Sequence, residues 1–351
     1  MSNYWRRLPI YLLLDCSESM AGDAFFSLGN GLNAMIGELK TNPTALETVT
    51  ISIITFSSKA KQIIPLTDLL KLQIPELVLG SGTAMGSALE LWTQCMEREV
   101  MKSSATQKGD YKPICFILTD GEPTDRWEDI ADHVRNNIVG KQANVIGVAC
   151  GPDADTNKLC RITETVIVLK QATSSSFSRF FKWISASIST TSERLESSGN
   201  KGISLPALPE EIEIQQTGKQ QQFTTSDRHV FLHSKCIQNR AFYLLRYTKI
   251  IDQIDLLGSS NKPVYQAVAA HPLENFEFAE GEKTPGLQVS TSQLLGFQPC
   301  PYCGNSLWGM CSNGHVHCCP EYQNSINITC PWCKVTDTYL PQSFDVGSGV
   351  G

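Results

Sequence analysis

The first apolar segment of the chain runs directly into a group of side-chain oxygens. Residues 8–20 read LPIYLLLDCSESM, so an apolar strand is followed at once by Asp15, Ser17 and Ser19. Alternate residues of an extended segment point the same way, which aims one carboxylate and two hydroxyls at a common point. Such donors suit Mg²⁺, which usually takes one or two carboxylates from protein and keeps several waters. The stretch therefore predicts a buried strand that ends at a cation site.

Two later loops are candidates to complete this site. Thr83 lies between glycines in GSGTAMGSAL, just before a helical pattern, and Asp120 directly follows the apolar run ICFILT. Open α/β sheets gather their ligands at the carboxyl ends of strands, where both loops belong. In the alternative interpretation, Ser17 and Ser19 only cap the first helix and Asp120 opens the next one. Helix capping does not explain three loops that converge on one sheet edge. The predicted ligands of one Mg²⁺ are Asp15, Ser17, Ser19, Thr83 and Asp120.

Strand and helix patterns alternate through the first half of the chain. Residues 24–40 and 84–101 carry apolar side chains at helical spacing, and residues 48–56 alternate as a strand that continues into a hairpin with AKQIIPL. A stripe of Phe and Ile between 177 and 188 predicts a terminal helix. This order predicts an α/β fold with a doubly wound, mostly parallel sheet.

The composition changes after the terminal helix pattern. Residues 189–206 are rich in Ser, Gly and charge and have little to bury, so the domain boundary is expected there. The segments 229–236, 240–248 and 263–270 then read as strands of a small sheet. We predict a first domain at 1–190, a linker at 191–206 and a β-rich domain at 207–345 that ends in a Cys/His zinc-binding module at 300–333.

Net charge and hydropathy argue against nucleic acid and membrane as binding partners. A formal charge of −6 argues against a nucleic-acid binder that depends on phosphate contacts. No apolar run is long enough to cross a bilayer, so no membrane partner is expected. Arg6 and Arg7 precede a short apolar region that Asp15 ends, and no small-residue cleavage site follows. We therefore expect no secretory signal here and a cytoplasmic protein.

Seven of the thirteen cysteines fall between positions 300 and 333, a density that in an intracellular chain indicates metal and not disulfides. CPYCG and CPWCK are two CxxC pairs, and two such pairs can complete a tetrahedral zinc shell. The other six cysteines lie in or beside apolar segments and are interpreted as buried small hydrophobes. The candidate zinc ligands are Cys300, Cys303, Cys311, His315, His317, Cys318, Cys319, Cys330 and Cys333.

These candidates allow one or two zinc ions. A single ion would use Cys300, Cys303, Cys330 and Cys333. Two ions would divide seven cysteines and one histidine into two sets of four, leaving one histidine spare, and ligand counting favours this arrangement. Either set is saturated, so zinc is expected to support folding and not catalysis. The stretch between Cys300 and Cys333 has no Lys or Arg, which argues against a nucleic-acid-reading zinc ribbon.

The DxSxS loop with Thr83 and Asp120 resembles the metal-ion-dependent adhesion site of von Willebrand factor A domains. The resemblance implies a Mg²⁺ held by the hydroxyls of Ser17, Ser19 and Thr83, with Asp15 and Asp120 acting directly or through water. One coordination position would then remain for an acidic residue of a partner protein.

Such a domain at the N-terminus, with LTDGEPTD at 118–125 and a C-terminal Cys/His-rich metal domain, is similar to the TerY family of bacterial tellurium-resistance and chemical-stress operons. Proteins of this type are encoded with a PP2C-like phosphatase and a Ser/Thr kinase, in the TerY phosphorylation triad. The resemblance implies a non-catalytic scaffold or regulator for these enzymes.

An enzyme is the competing hypothesis. A Mg²⁺-dependent phosphohydrolase of haloacid-dehalogenase type also places an Asp after its first apolar strand. That chemistry requires a second Asp two positions later as general acid and base, and here the position is Ser17, which cannot carry the proton at neutral pH. No Ser-His-Asp or Cys-His grouping is evident, so no catalytic residue is predicted.

Overall fold

The computed structural model describes residues 6–104, 108–151, 154–171, 173–198, 212–215, 229–250, 263–273, 276–277, 288–321 and 324–347. The chain divides into two compact units. The first comprises Met1–Leu77 and Thr83–Phe223, and the second comprises Val78–Gly82 and Thr224–Gly351.

A seven-stranded sheet forms the centre of the first unit, in the order β3-β2-β1-β5-β6-β7-β8. Its five inner strands run parallel, whereas β3 and β8 pair antiparallel at the two edges. All eight residues of β1 are buried, as expected for a central strand covered on both faces. The strands are β1 (Leu8–Asp15), β2 (Val49–Phe56), β3 (Ala60–Asp68), β5 (Ile114–Thr119), β6 (Asn144–Cys150), β7 (Thr165–Leu169) and β8 (Ile212–Gln215), while β4 (Leu79–Gly80) belongs to the second unit.

Helices connect these strands and bury their apolar stripes. The last helix contacts the first and the second, whereas the fourth helix contacts the third and the fifth. Tyr11 and Leu13 of β1 share a core cluster with Trp92 of the third helix. The helices are α1 (Asp23–Leu39), α2 (Pro43–Thr48), α3 (Met85–Glu99), α4 (Glu128–His133), α5 (Thr156–Ile162) and α6 (Ser174–Ser198). The prediction of an α/β fold with a mostly parallel sheet is confirmed.

The hairpin predicted after residue 48 is confirmed as β2 and β3. Helix α4 continues as a π-helical turn at Val134–Ile138.

Helix α6 is longer than its apolar stripe suggested. It continues to Ser198, so its last turns occupy the first part of the linker predicted at 191–206. Thr191 and Ser192 are buried, and the Ser192 hydroxyl is hydrogen-bonded to that of Thr48 in α2. Hydroxyl residues thus form a helix contact that a search for apolar side chains does not detect. Residues 199–206 of the predicted linker lie outside the described residues.

Strand β8 also departs from the predicted domain plan. It lies within the stretch assigned to the second domain, 207–345, yet it pairs antiparallel with β7 of the first sheet. A four-residue edge strand gives little sequence signal of the sheet to which it adds. The predicted start of the second domain at 207 lies outside the described residues.

The second unit is β-rich, as predicted. Its largest sheet has the order β14-β11-β10-β9-β16-β15, with β10 antiparallel to both β9 and β11 and with buried Tyr243, Tyr247 and Tyr265 in its core. Three two-stranded pairs accompany it: β4 with β12, β13 with β19, and β17 with β18. The strands are β9 (His229–Lys235), β10 (Phe242–Lys249), β11 (Tyr265–Leu273), β12 (Phe276–Glu277), β13 (Gln288–Ser290), β14 (Leu294–Leu295), β15 (Leu307–Met310), β16 (Val316–Cys319), β17 (Ile326–Thr329), β18 (Thr336–Tyr339) and β19 (Asp345–Gly347).

Among the helices of the described chain, none combines the length and the apolar character that crossing a bilayer requires.

Candidate metal centres

Asp15 is fixed at the carboxyl end of the central strand. Because Leu14 of β1 is the register partner of Leu118 of β5, Asp15 lies beside Thr119. The Thr119 hydroxyl donates to Asp15 Oδ2 at 2.5 Å, and the Ser17 backbone N–H donates to Asp15 Oδ1 at 2.9 Å. Complete burial raises the pKa of Asp15 to about 6, against the lowering effect of these hydrogen bonds. A cation beside this carboxylate would offset the cost of burying its charge.

A chain of oxygens extends from Asp15 to the second carboxylate. The hydroxyls of Ser17 and Ser19 are 2.9 Å apart, and the Ser19 hydroxyl donates to Asp120 Oδ1 at 2.6 Å. Asp15 and Ser17 are fully buried, whereas Ser19 and Asp120 are half-buried. The sequence prediction that these two loops converge is therefore realised in the geometry, and the chain runs from the interior toward solvent.

Thr83 is held rigidly on the third loop. Its backbone N–H donates to Thr124 Oγ1 at 2.9 Å, and the Thr124 N–H donates back to the Thr83 carbonyl at 2.9 Å. Asp125 accepts from the N–H groups of Gly86 and Ser87 at 3.0 and 2.8 Å, which fixes the start of α3. The loop backbone is thus fully braced around a buried side chain.

The Thr83 hydroxyl has no hydrogen-bond partner within the described part of the chain, although it is completely buried. Leaving such a group unpaired costs about 1–3 kcal/mol, so a buried hydroxyl without a partner calls for an explanation. A metal ion would accept its lone pair. Two carboxylates and three hydroxyls are hard oxygen donors, and they fit a hard divalent cation such as Mg²⁺.

Cysteine and histidine side chains of the second unit converge in two clusters. In each cluster the four ligand atoms lie within 4.8 Å of one another. The first cluster is Cys236, Cys300, Cys303 and Cys318, and the second is Cys311, His315, Cys330 and Cys333.

The distances within the clusters match tetrahedral zinc. A Zn–S bond of roughly 2.3 Å places two sulfurs about 3.8 Å apart. Cys303 Sγ and Cys318 Sγ are 3.6 Å apart, Cys311 Sγ and Cys333 Sγ 3.8 Å, and Cys311 Sγ and His315 Nδ1 3.4 Å. All thirteen cysteines are free, so none of these contacts is a disulfide. The clusters are two metal-binding sites of zinc type.

This arrangement differs in part from the sequence prediction. The two CxxC pairs lie in different clusters, which excludes the single-ion site of Cys300, Cys303, Cys330 and Cys333. The division of seven cysteines and one histidine into two sets of four is found, with Cys236 as one of the seven. The sequence analysis had interpreted Cys236 as a buried small hydrophobe and not as a zinc ligand.

Cys236 opens the same turn as the two CxxC pairs. The Cys236 N–H donates to the Ala241 carbonyl, five residues later, and the Cys236 carbonyl accepts from the Arg240 N–H, four residues later. Cys300 and Cys330 do the same, with N···O distances between 2.8 and 3.0 Å. In all three turns burial raises the thiol pKa of the cysteine, and hydrogen bonds from the N–H groups two and three residues after it lower this pKa. The pKa of Cys236 is lowered overall, whereas those of Cys300 and Cys330 are raised to about 11. In the Cys236 turn, CIQNR, Asn239 stands where the pairs have their second cysteine, so a CxxC search does not find it.

Cys319 and His317 were among the predicted candidate ligands, but they lie outside both clusters. Adjacent strand residues face opposite ways, so Cys318 reaches the first cluster while Cys319 packs in the apolar cluster that contains Ile328. His317 is fully buried, with Nδ1 2.9 Å from the Cys318 carbonyl and Nε2 2.6 Å from the Tyr339 hydroxyl. Nδ1 therefore carries the proton, Nε2 accepts from Tyr339, and the ring is the spare histidine.

Groups around the second cluster hold its histidine in place. The His315 ring stacks on Trp332 with centroids 5.5 Å apart and an angle of 12° between the ring planes. The Trp332 indole N–H donates to the Val316 carbonyl at 2.8 Å. Such contacts fix the orientation of a metal-binding ring and are part of the site.

Comparison with known proteins agrees with this geometry. A model of the von Willebrand factor type A domain matches residues 10–182, and a model of the TerY-C metal binding domain matches residues 226–351. A search of curated proteins gave no match.

Solved structures with similar folds come from several sources. Proximal thread matrix protein 1 from the mussel byssus has 16% identity and a TM-score of 0.39 over 52% of this chain and 48% of that chain. A further structure of the same protein, described as having a zinc-occupied MIDAS motif, has 14% identity and a TM-score of 0.38 over 52% and 48%. The ArnB paralog VWA2 from Sulfolobus acidocaldarius has 12% identity and a TM-score of 0.35 over 80% and 68%. The chain spans about half the length of the mussel protein.

The fold and the two cysteine clusters define a metal-binding scaffold built from a von Willebrand factor A domain and a cysteine-rich domain. The chain therefore has the TerY-like architecture predicted from the sequence, a von Willebrand factor type A domain followed by a TerY-C metal binding domain.

Proposed function

We propose that the protein is a non-catalytic scaffold that captures a partner protein through a Mg²⁺ ion on its first unit. Asp15, Ser17, Ser19, Thr83 and Asp120 hold the ion, and an acidic side chain of the partner completes its coordination. Two Zn²⁺ ions in the cysteine clusters fold the second unit.

The Thr83 hydroxyl carries the proposal. It is completely buried without a hydrogen-bond partner in the described chain, next to a loop system braced by Thr124. An ordinary helix start would pair this hydroxyl with a backbone N–H. The unpaired oxygen is explained if a cation occupies the space it faces.

The side chains of the site are more exposed at Asp120 than at Asp15, which supports capture of a partner. Asp15 lies at the closed end of the oxygen chain, while Ser19 and Asp120 are half-buried. An ion bound there keeps one side toward solvent, where a carboxylate from another protein can reach it. A buried partner carboxylate paired with a cation would be a strong and specific contact.

The partners we propose are a Ser/Thr kinase and a PP2C-like phosphatase, in a bacterial stress or tellurium-resistance system of the cytoplasm. Support for this step is the TerY-like order of the two domains alone. The chain would then hold these enzymes together and contribute no catalytic residue of its own, because the position two residues after Asp15 is Ser17.

Capture of partners with and without Mg²⁺ tests the proposal. The full chain is immobilised and exposed to lysate of the native cell, or to the co-encoded kinase and phosphatase, with Mg²⁺ or with EDTA. We expect Asp15→Asn and Asp120→Ala to lose the captured partner while circular dichroism stays unchanged. Asp129→Ala, which removes an exposed carboxylate of α4, is the matched control and should retain it.

Two results would contradict the proposal. Capture that is equal in EDTA and in Mg²⁺, or equal for Asp15→Asn and the unaltered chain, would remove the metal from the mechanism. Turnover of p-nitrophenyl phosphate that depends on both Mg²⁺ and Asp15 would favour the phosphohydrolase alternative instead.

A further inference from the structure

Three basic side chains of the second unit gather around an aromatic pair. Lys235 Nζ lies 4.5 Å from the centre of the Phe242 ring and 5.1 Å from the centre of the Trp332 ring. The two rings meet edge to face with centroids 5.2 Å apart. Phe242 is also the register partner of Lys235, so the lysine and both rings share one face of the sheet.

Two of the metal-binding turns supply the other cations. Arg240 is the fifth residue of the Cys236 turn, two positions before Phe242, and Lys334 is the fifth residue of the Cys330 turn, two positions after Trp332. Each turn thus contributes one cation that lies two positions from one of the two contacting rings.

The backbone at these two cations is unusual. Arg240 has a φ of 63° and Lys334 a φ of 67°, whereas the equivalent position of the third turn is Gly304 with a φ of 74°. Left-handed backbone is disfavoured for residues with a side chain and unstrained for glycine. Two of three equivalent turns therefore keep a long cation where glycine would be more stable, as is common at functional positions.

Within the described chain, none of the three cations forms an ion pair with a carboxylate. Basic residues such as Arg7 and Arg161 of the first unit, in contrast, pair with Asp110 and Asp132. Lys334 Nζ reaches only the Pro331 carbonyl, at 3.1 Å. Arg240 and Lys334 are exposed and Lys235 is half-buried, so all three can reach a ligand.

We propose that Lys235, Arg240 and Lys334, on the apolar floor of Phe242 and Trp332, bind an anionic segment of a protein partner. Its anion is a phosphorylated side chain or a group of carboxylates, which share the chemistry of several acceptor oxygens with negative charge. We call these five residues the cationic surface. It adds a second contact to the proposed scaffold function and does not depend on the metal of the first unit.

The extent of the surface favours a peptide over a nucleic acid. Nucleic-acid grooves carry many cations along the phosphate backbone, whereas this surface has three and the whole chain has a net charge of −6. A single strand of DNA is nevertheless included in the test, because stacked aromatic rings beside cations are also used to bind bases.

Binding of labelled peptides to the zinc-loaded full chain tests the proposal by fluorescence anisotropy. Three peptide libraries share random flanks around a central phosphoserine, a central Glu-Glu-Glu or a central serine, and oligo(dT) is the fourth probe. We expect the phosphoserine or the glutamate library to bind at least about tenfold more tightly than the serine library and more tightly than oligo(dT), since charge-assisted hydrogen bonds are stronger than neutral ones. The better of these two libraries identifies the source of the anion.

The double variant Arg240→Gly/Lys334→Gly is the decisive one, because glycine relieves the left-handed backbone while it removes both charges. We expect it to weaken the anionic peptide about tenfold or more, to keep two zinc ions per chain and to unfold no earlier than the unaltered protein. The double variant Lys59→Gln/Lys71→Gln, at two exposed lysines of the first unit, is the charge-matched control and should bind normally. Asp15→Asn should also bind the peptide normally, which separates this proposal from the metal-dependent capture.

Three outcomes would overturn the inference. Unchanged peptide affinity in the double variant would show that these cations make no contact. Loss of a zinc ion from the double variant would show that the cations balance the charge of the metal thiolates. Tighter binding of oligo(dT), lost in the same variant, would assign the surface to nucleic acid.

Discussion

Replacing Cys236 by serine tests the first zinc cluster at the ligand that lies farthest from the others in sequence. The variant leaves Cys300, Cys303 and Cys318 as three thiolates of a four-ligand site. Serine is a poor zinc ligand, because soft thiolates bind this ion far better than hydroxyls. We expect the first cluster to lose its ion and the second to keep its own.

The magnitude follows from the ligand count. Structural zinc contributes about 10–16 kcal/mol to the folding of zinc-finger peptides at neutral pH. Divided over four ligands, this is about 3–4 kcal/mol for each, or roughly two to three powers of ten in zinc affinity. The change is large enough to separate the two ions in a competition with a chelator of intermediate strength.

Zinc content by atomic emission, followed during titration with the chelator, is the assay. Cys319→Ser is the matched control, because Cys319 is equally buried and carries the same chemistry but lies outside both clusters. We expect one tightly held zinc ion in Cys236→Ser and two in Cys319→Ser. Two tight ions in the former, or one in the latter, would refute the assignment of ligands.

Three further predictions concern the first unit. Thr83→Val should weaken Mg²⁺ binding at least about tenfold in calorimetry yet raise the unfolding free energy in EDTA by about 1 kcal/mol, because it removes a buried unpaired hydroxyl; lower stability in EDTA would show that the hydroxyl has a partner. Gly86→Ala should destabilise by about 1–3 kcal/mol in urea unfolding, since its Cβ would lie 2.5 Å from the Arg126 carbonyl oxygen and 2.8 Å from Trp127 Cα. Gly29→Ala, in open space on α1, should instead stabilise by about 0.5–1 kcal/mol. Asp110→Ala should cost about 3 kcal/mol in the same assay, because the fully buried carboxylate accepts from Arg7 and from the Met101 N–H; a loss under 1 kcal/mol would contradict the pairing.

The strands and loops of the first unit follow from local pattern. Apolar runs that end in Asp15 and Thr119 are long, uninterrupted and buried on both faces, so the sequence marks both the strands and the edge where their loops meet. The braces of the site are less visible. Thr124 and Asp125 fix the Thr83 loop from a segment some forty positions away, and no local pattern announces that contact.

In the second unit, local sequence patterns do not show which cysteines share a metal cluster. A CxxC search finds the pairs at Cys300 and Cys330 but cannot show that each recruits a different partner. Cys236 was missed because only its backbone turn, and not its neighbouring residue types, matches the other two. The turn becomes recognisable once hydrogen bonds and the left-handed Arg240 are seen. Ligand counting favoured two sites over one, and the three-dimensional structure was needed to assign residues to each site.

Because Cys236 is one of its ligands, the first zinc cluster joins two segments that lie far apart in the sequence. More than sixty positions separate Cys236 from Cys300, and β10, β11 and β13 lie in the loop between them. Closing a loop of that length in the unfolded chain is worth about 4 kcal/mol by the relation used for covalent cross-links. Loss of zinc would therefore destabilise the hairpin of β9 and β10 as well as the cysteine-rich end of the chain, because Cys236 lies in the turn between these two strands.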